Sequence, residues 1–176
     1  METFARTQSG VAGGMAAGFL LTPAAFLWPT LPFVSPNQQR QLSLWLACSL
    51  LICFWLIVAV ARLARHRFFT PDDIHGGGIR ENTAKAALLQ AQLQNTLEQT
   101  LLAVVAYGAW LWIGPPQRFG LVIVFTAYFA VGRIVFFIDY SLGAPSRALG
   151  FTLTFYPTVS LYLALLPNAL ARVLNP

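Results

Sequence analysis

The sequence predicts an all-α integral membrane protein, a four-helix transmembrane bundle with an extra hydrophobic helix at its N-terminus. The 176 residues are 57% hydrophobic and 10% charged, whereas an average soluble domain has roughly 25% charged residues. The apolar residues form runs long enough to cross about 30 Å of hydrocarbon, separated by short polar segments. We therefore divide the chain into a hydrophobic extension, residues 1–41, and a membrane domain, residues 42–176.

The net charge of +5 does not indicate a nucleic-acid partner. The basic residues stand at the ends of the apolar runs, where they orient helices in a lipid bilayer. Cys48 and Cys53 lie in one apolar run and point to different faces of a helix, so we expect packing roles and no metal site.

The extension has a glycine at every fourth position over Gly10, Gly14 and Gly18. This spacing gives a helix a flat face for close packing in lipid. We predict a helix docked on the outside of the bundle.

We place this additional spanning or re-entrant helix at residues 10–34, with kinks or breaks at Pro23, Pro29 and Pro32. A signal peptide is the rival interpretation, because Arg6 precedes an apolar run. It is the weaker one, since no clear small-residue cleavage site follows before Pro36.

The first helix of the bundle is predicted at residues 41–61, which are uncharged and rich in Leu and Trp. Arg62, Arg65 and Arg67 follow it. Residues 68–80 contain polar and glycine clusters that predict a mobile loop. We expect surface roles for the two histidines, His66 and His75.

A polar stretch, residues 90–100, interrupts the apolar sequence. On a helix, Gln94, Asn95, Glu98 and Gln99 fall within an arc of roughly 140°. A carboxylate at the end of a membrane helix is costly unless it faces water or protein and has a partner. Glu98 is therefore a functional candidate.

The partner we predict for Glu98 is Arg133. Helices at 82–113 and 119–140 are joined at Gly114-Pro-Pro, so we expect an antiparallel hairpin. Both charges lie about 26 Å from that turn at 1.5 Å per residue. The pairing can be within one subunit or between subunits.

The last helix is predicted at residues 148–171, after a short connection at 141–147. Basic residues concentrate in the 62–85 segment, and Arg147 of the 141–147 connection lies on the same side of the membrane. The positive-inside rule therefore places both connections in the cytoplasm. Glu98, Arg133, Tyr140 and Arg147 are then expected near the cytoplasmic face.

These residues carry a resemblance. Asn95-Thr-Leu-Glu98 resembles the Asn-x-x-Glu of the MAPEG family (membrane-associated proteins in eicosanoid and glutathione metabolism). Arg133, Tyr140 and Arg147, each seven residues from the next, resemble its third-helix arginine, the following tyrosine and the arginine before its last helix. Arg62-Leu-Ala-Arg65 is similar to the basic end of its first helix.

The resemblance covers residues 42–170 and implies a homotrimer that binds glutathione, as co-substrate, between subunits near the cytoplasmic face. Asn95 and Glu98 would bind polar groups of the tripeptide, Arg133 would hold Glu98 or a glutathione carboxylate, and Tyr140 would donate a binding hydroxyl. Arg147 would face the thiol as the catalytic residue. The implied function is a glutathione-dependent transferase or peroxidase acting on lipophilic electrophiles or lipid hydroperoxides.

Arg147 also has a physical case of its own. A thiol with a pKa near 8.5 is mostly protonated at neutral pH, and a nearby guanidinium lowers that pKa. The alternatives are an arginine that orients the last helix and a tyrosine, Tyr140, that anchors the membrane interface.

Three positions depart from the family pattern. Ala91 replaces a common arginine and so removes a carboxylate partner for glutathione, Phe136 stands where a tyrosine or histidine is frequent, and Gln99 follows the glutamate. A non-catalytic lipid-binding or scaffold member therefore remains the alternative function. The sequence does not name the lipophilic small molecule in either case.

Overall fold

A computed structural model describes residues 2–27, 37–77 and 81–174. Within these ranges five helical segments are long and apolar enough to cross a membrane, which confirms the all-α membrane fold. Two 3₁₀ turns, Pro116–Arg118 and Tyr140–Leu142, join the last three helices. The helices are α1 (Glu2–Leu27), α2 (Gln38–Phe69), α3 (Ala84–Ile113), α4 (Leu121–Asp139) and α5 (Ala144–Leu174).

The bundle is a ring in the order α2, α3, α5, α4. Consecutive helices α3 and α4 lie on a diagonal and contact each other only sparingly, so the two arms of the predicted antiparallel hairpin do not pack side by side. The connection from Gly114 to Gly120 includes a 3₁₀ turn and carries the chain across the bundle. We call the end with this connection the turn end, and the end with the α2–α3 loop the loop end.

Two helices continue past the apolar runs that predicted them. α2 continues to Phe69, beyond the basic residues at 62–67, and α5 begins at Ala144. Hydropathy marks where lipid ends, whereas a helix continues until its backbone hydrogen bonding is interrupted. Arg147 consequently lies in the first turn of α5 and not in a loop.

α1 packs on the outside of the bundle, parallel to α5, as the glycine spacing predicts. A Cβ placed on Gly10 would lie 2.7 Å from Pro145 Cβ, and one on Gly14 would lie 2.8 Å from Ala148 Cβ. The helix passes through Pro23 without ending there. Pro29 and Pro32 lie outside the described residues. Its 26 residues are about 39 Å long, which favours a spanning helix over a re-entrant one.

The hydrophobic core lies between the four ring helices, with Cys48 buried in it and Cys53 half-buried. Neither cysteine is in a disulfide. Tyr107 and Trp110 of α3 and Phe125 and Phe129 of α4 contribute buried aromatic rings to the core. The largest fully buried apolar side chains of the core are Ile52, Tyr107, Val122, Phe125, Phe129 and Leu161.

Candidate functional site

A cavity of about 430 Å³ lies at the loop end between α1, α3, α4 and α5. Asn95, Tyr140 and Arg147, three of the five predicted site residues, line it. Its remaining wall is mainly apolar and includes Phe136, which the sequence analysis noted only as a departure from the family pattern. The cavity therefore combines one cation and a few polar groups with an apolar interior, a combination typical of small-molecule sites.

Arg133 lies beside this cavity but does not line it. Its side chain is completely buried, with 0% exposure. Nη1 donates to Asn95 Oδ1 at 3.0 Å and to Thr96 Oγ1 at 3.4 Å, and Nη2 donates to Thr154 Oγ1 at 2.7 Å. The charge is thus held by neutral oxygens from α3 and α5, and one of them belongs to a residue of the cavity wall.

Glu98 and Arg133 form no ion pair in the described chain. Glu98 is exposed, and its Oε1 accepts a hydrogen bond from Gln94 Nε2 at 2.9 Å. The predicted pair within one subunit is therefore wrong, although the predicted depth is right, since Arg133 contacts residues 95 and 96. Because Arg133 is already enclosed, a carboxylate of a second subunit cannot contact it in this conformation.

The predicted polar face of α3 is split by the packing. Gln94 and Glu98 are exposed, Asn95 is half-buried and Gln99 is buried. Of the four, Asn95 is the one that faces the cavity. Ala91, where the family frequently has arginine, is exposed on the same helix.

A column of cations and aromatic rings connects Arg133 to Arg147. The Arg133 guanidinium carbon is 4.5 Å from the Phe136 ring centroid, and the Phe136 and Tyr140 centroids are 5.0 Å apart, edge to face. The Arg147 guanidinium carbon is 4.5 Å from the Tyr140 centroid. Aromatic faces attract cations, so the column orients Arg147 toward the cavity wall that it lines.

The α2–α3 loop is docked by a buried carboxylate, which sequence analysis missed. Asp73 Oδ2 accepts from Thr83 Oγ1 at 2.6 Å and lies 2.9 Å from His66 Nε2, while Oδ1 accepts from Thr83 N at 2.9 Å. These hydrogen bonds lower the pKa of Asp73, and those from Thr83 have a larger effect than that from His66. These bonds fix the described part of the α2–α3 loop to the ends of both helices, whereas the sequence predicted a mobile loop. His66 is part of this cluster, whereas His75 is exposed as predicted.

A second cavity, of about 400 Å³, lies between the loop ends of α2 and α3. Its basic lining consists of Arg62, Arg65, His66 and Lys85. Arg62 Nη1 is buried and has no hydrogen-bond partner among the described residues. The grouping of basic residues after the first bundle helix was visible in the sequence, but their convergence with Lys85 was not.

Comparison with known families matches residues 42–167, more than two-thirds of the chain, to the model of the MAPEG family. The match contains α3, α4 and most of α2 and α5, and it leaves α1 outside. No curated protein matches the chain.

Proposed function

The chain belongs to the MAPEG family, and on that premise we propose that it is a glutathione-dependent transferase or peroxidase for lipophilic electrophiles or lipid hydroperoxides. It is an integral, multi-pass membrane protein. The observation that supports the proposal is the convergence of Asn95, Tyr140 and Arg147 on one cavity with an apolar interior.

In this proposal the glutathione thiol lies beside Arg147. Only the thiolate attacks an electrophile, and a fixed positive charge stabilises it. Arg147 is available for this role because its guanidinium stacks on Tyr140 and has no carboxylate partner among the described residues. Tyr140 and Asn95 would then bind the tripeptide, and the apolar wall would bind the lipophilic co-substrate.

Arg133 takes a different role from the one that the resemblance implies. It does not line the cavity, so we assign it to positioning: its Nη1 holds Asn95 Oδ1 at 3.0 Å. Glu98, exposed on α3, is left to bind the tripeptide or a neighbouring subunit.

We further propose a homotrimer with the site near the cytoplasmic face. Glu98 supports an assembly, because an exposed carboxylate at a membrane-helix end is costly without a cationic partner, and the partner of Glu98 among the described residues is the neutral amide of Gln94. The basic cavity of Arg62, Arg65 and Lys85 is a candidate for the glutathione carboxylates that Ala91 leaves without a cation. A chain that starts at Pro36 retains the four ring helices and is expected to remain a trimer by light scattering.

The test is equilibrium binding of glutathione to the detergent-purified protein, followed by thiolate difference absorbance across pH. We expect Arg147→Ala to lower the thiolate fraction at neutral pH about tenfold, as a one-unit rise in thiol pKa requires, while affinity changes little. Arg40→Ala, an exposed arginine at the turn end, is the matched control and should behave as wild type.

Two outcomes would contradict the proposal. Failure of wild-type protein to bind glutathione at millimolar concentration would favour the lipid-binding or scaffold alternative, which Ala91 supports. An unchanged thiolate titration in Arg147→Ala would remove Arg147 from the chemistry and leave it as an orienting arginine.

A further inference from the structure

One wall of the cavity comes from outside the part of the chain that matches the family. Val11 and Met15 of α1 line the cavity together with Tyr140 and Arg147, and the family match begins at residue 42. Without α1, this side of the cavity would open to lipid. A molecule bound in the cavity therefore contacts a surface that the extension supplies.

The position of this wall is determined by close packing on α5. A Cβ on Gly14 would lie 2.8 Å from Ala148 Cβ, and one on Gly18 would lie 2.5 Å from Thr152 Cβ. Thr152 Oγ1 donates to the Gly14 carbonyl at 3.1 Å. Ala148 and Thr152 line the same cavity, so the contacts that hold α1 are part of the wall.

The depth of Met15 relative to Arg147 follows from the parallel packing. Gly14 lies opposite Ala148, so Met15 lies about 3 Å, roughly half a helical turn, farther from the loop end than Arg147. Phe151 and Phe155 continue the apolar wall deeper into the bundle. A substituent that extends inward from a reacting atom at Arg147 passes Met15 first.

We propose that Met15 and Val11 are specificity-determining residues that contact the apolar group of the lipophilic substrate and limit its width. The turnover of the lipophilic substrate rests on the proposed function, whereas the binding of an apolar group in the cavity does not. Methionine is unbranched and flexible, so it adapts to linear and flat groups. The close packing of α1 on α5 fixes the backbone behind Met15 and limits the room for branched groups. The substrate class is accordingly a compound with a polar reacting end and a narrow apolar body.

Kinetics with isomeric hydroperoxides, one linear and one branched beside the reacting carbon, test the width limit. Met15→Trp narrows the cavity, and we expect about a tenfold loss of kcat/KM for the branched isomer with little change for the linear one. Met15→Ala should reduce the preference of wild type for the linear isomer. Leu20→Trp is the matched control, because Leu20 is 67% exposed on the same helix and does not line the cavity, whereas Met15 is 45% exposed and does. Equal effects of Met15→Trp on both isomers would overturn the inference.

Thiol labelling gives a readout that does not need turnover. Met15→Cys and Leu20→Cys are labelled with a membrane-permeant maleimide, with wild type supplying the background from Cys48 and Cys53. We expect S-hexylglutathione and decanoate each to slow labelling at position 15 and not at position 20. Protection by decanoate alone would support this inference and contradict the proposed function. Absence of protection by either compound at position 15, or equal protection at position 20, would overturn the inference.

Discussion

Arg133 and Arg147 stand two helical heptads apart in the sequence, yet their surroundings differ in kind. Arg133 is enclosed by oxygens of Asn95, Thr96 and Thr154 and has no exposed surface. Arg147 is half-buried, stacks on Tyr140 and lines a cavity. The first arginine directs both Nη atoms to oxygens within the protein, and its buried Nε has no hydrogen-bond partner in the described chain, whereas the second arginine lines a cavity where a ligand can bind.

The difference shows how a buried cation can be held without an opposite charge. Desolvating a charge is costly, and charge-assisted hydrogen bonds to neutral oxygens offset part of that cost. Two aromatic faces, Phe129 and Phe136, lie 5.5 and 4.5 Å from the guanidinium carbon and add to this. An Arg–Glu pair is one way to hold such a charge, and this protein uses another.

The largest expected effect separates the two arginines by stability. Arg133→Ala leaves a void in a closed site and removes the donor of three oxygens, so we expect a loss of about 3–5 kcal/mol in the free energy of unfolding. Arg147→Ala should cost less than about 1 kcal/mol, because the site is open on one side. Thermal unfolding in detergent measures both. Similar losses for the two variants would show that Arg147 is also structural.

A smaller effect is expected from the acceptors of Arg133. Thr154→Val removes the oxygen at 2.7 Å from Nη2, and the loss of one hydrogen bond to a charged group should cost about 1.5–3 kcal/mol. Thr100→Val is the matched control, because the buried Thr100 hydroxyl has no hydrogen-bond partner in the described chain. It should be neutral or slightly stabilising. Equal destabilisation by both substitutions would argue against the role of the Thr154 hydroxyl in holding the charge of Arg133.

Asp73 provides a third case, an anion held mainly by neutral donors outside the membrane. Its pKa is lowered in the folded state from the ordinary 3.8. The stability that it contributes is therefore present above pH 3.8 and is lost as the pH falls through the folded-state pKa. Asp73→Asn should unfold at a lower temperature at pH 7, and its difference from wild type should shrink in acid. A difference that stays constant down to pH 2 would exclude this carboxylate as the cause.

The smallest expected effect is the coupling between Glu98 and Arg133. The two side chains do not contact, so Glu98→Gln and Arg133→Met should be additive within about 0.5 kcal/mol in a double-mutant cycle on unfolding. Sequence analysis had predicted the opposite, a Glu98–Arg133 pair, from the equal depth of the two residues. A coupling above about 1 kcal/mol would show that Arg133 turns toward the carboxylate of Glu98 in the protein in detergent.

Sequence periodicity predicted the features that depend on neighbours along the chain. Apolar runs located all five helices, and the spacing of Gly10, Gly14 and Gly18 predicted a flat face for docking, because a helix repeats its faces about every four residues. The equal depth of residues 95–98 and 133 followed from a constant rise per residue. The family resemblance on Asn95, Glu98, Arg133, Tyr140 and Arg147 agrees with the match over residues 42–167.

Features that depend on contacts between distant helices required the three-dimensional structure. The diagonal placement of α3 and α4, the enclosure of Arg133 by Thr154 of α5, and the entry of Met15 into the cavity wall all depend on which helices pack together, and the order of the helices along the chain does not determine this. Hydropathy identifies an apolar face but does not identify the helix that covers it. Helix order in the ring is a collective result of packing all five helices together. For that reason the sequence analysis paired Glu98 with Arg133, which lies at the same depth, whereas in the structure Arg133 contacts Thr154 of α5 and not Glu98.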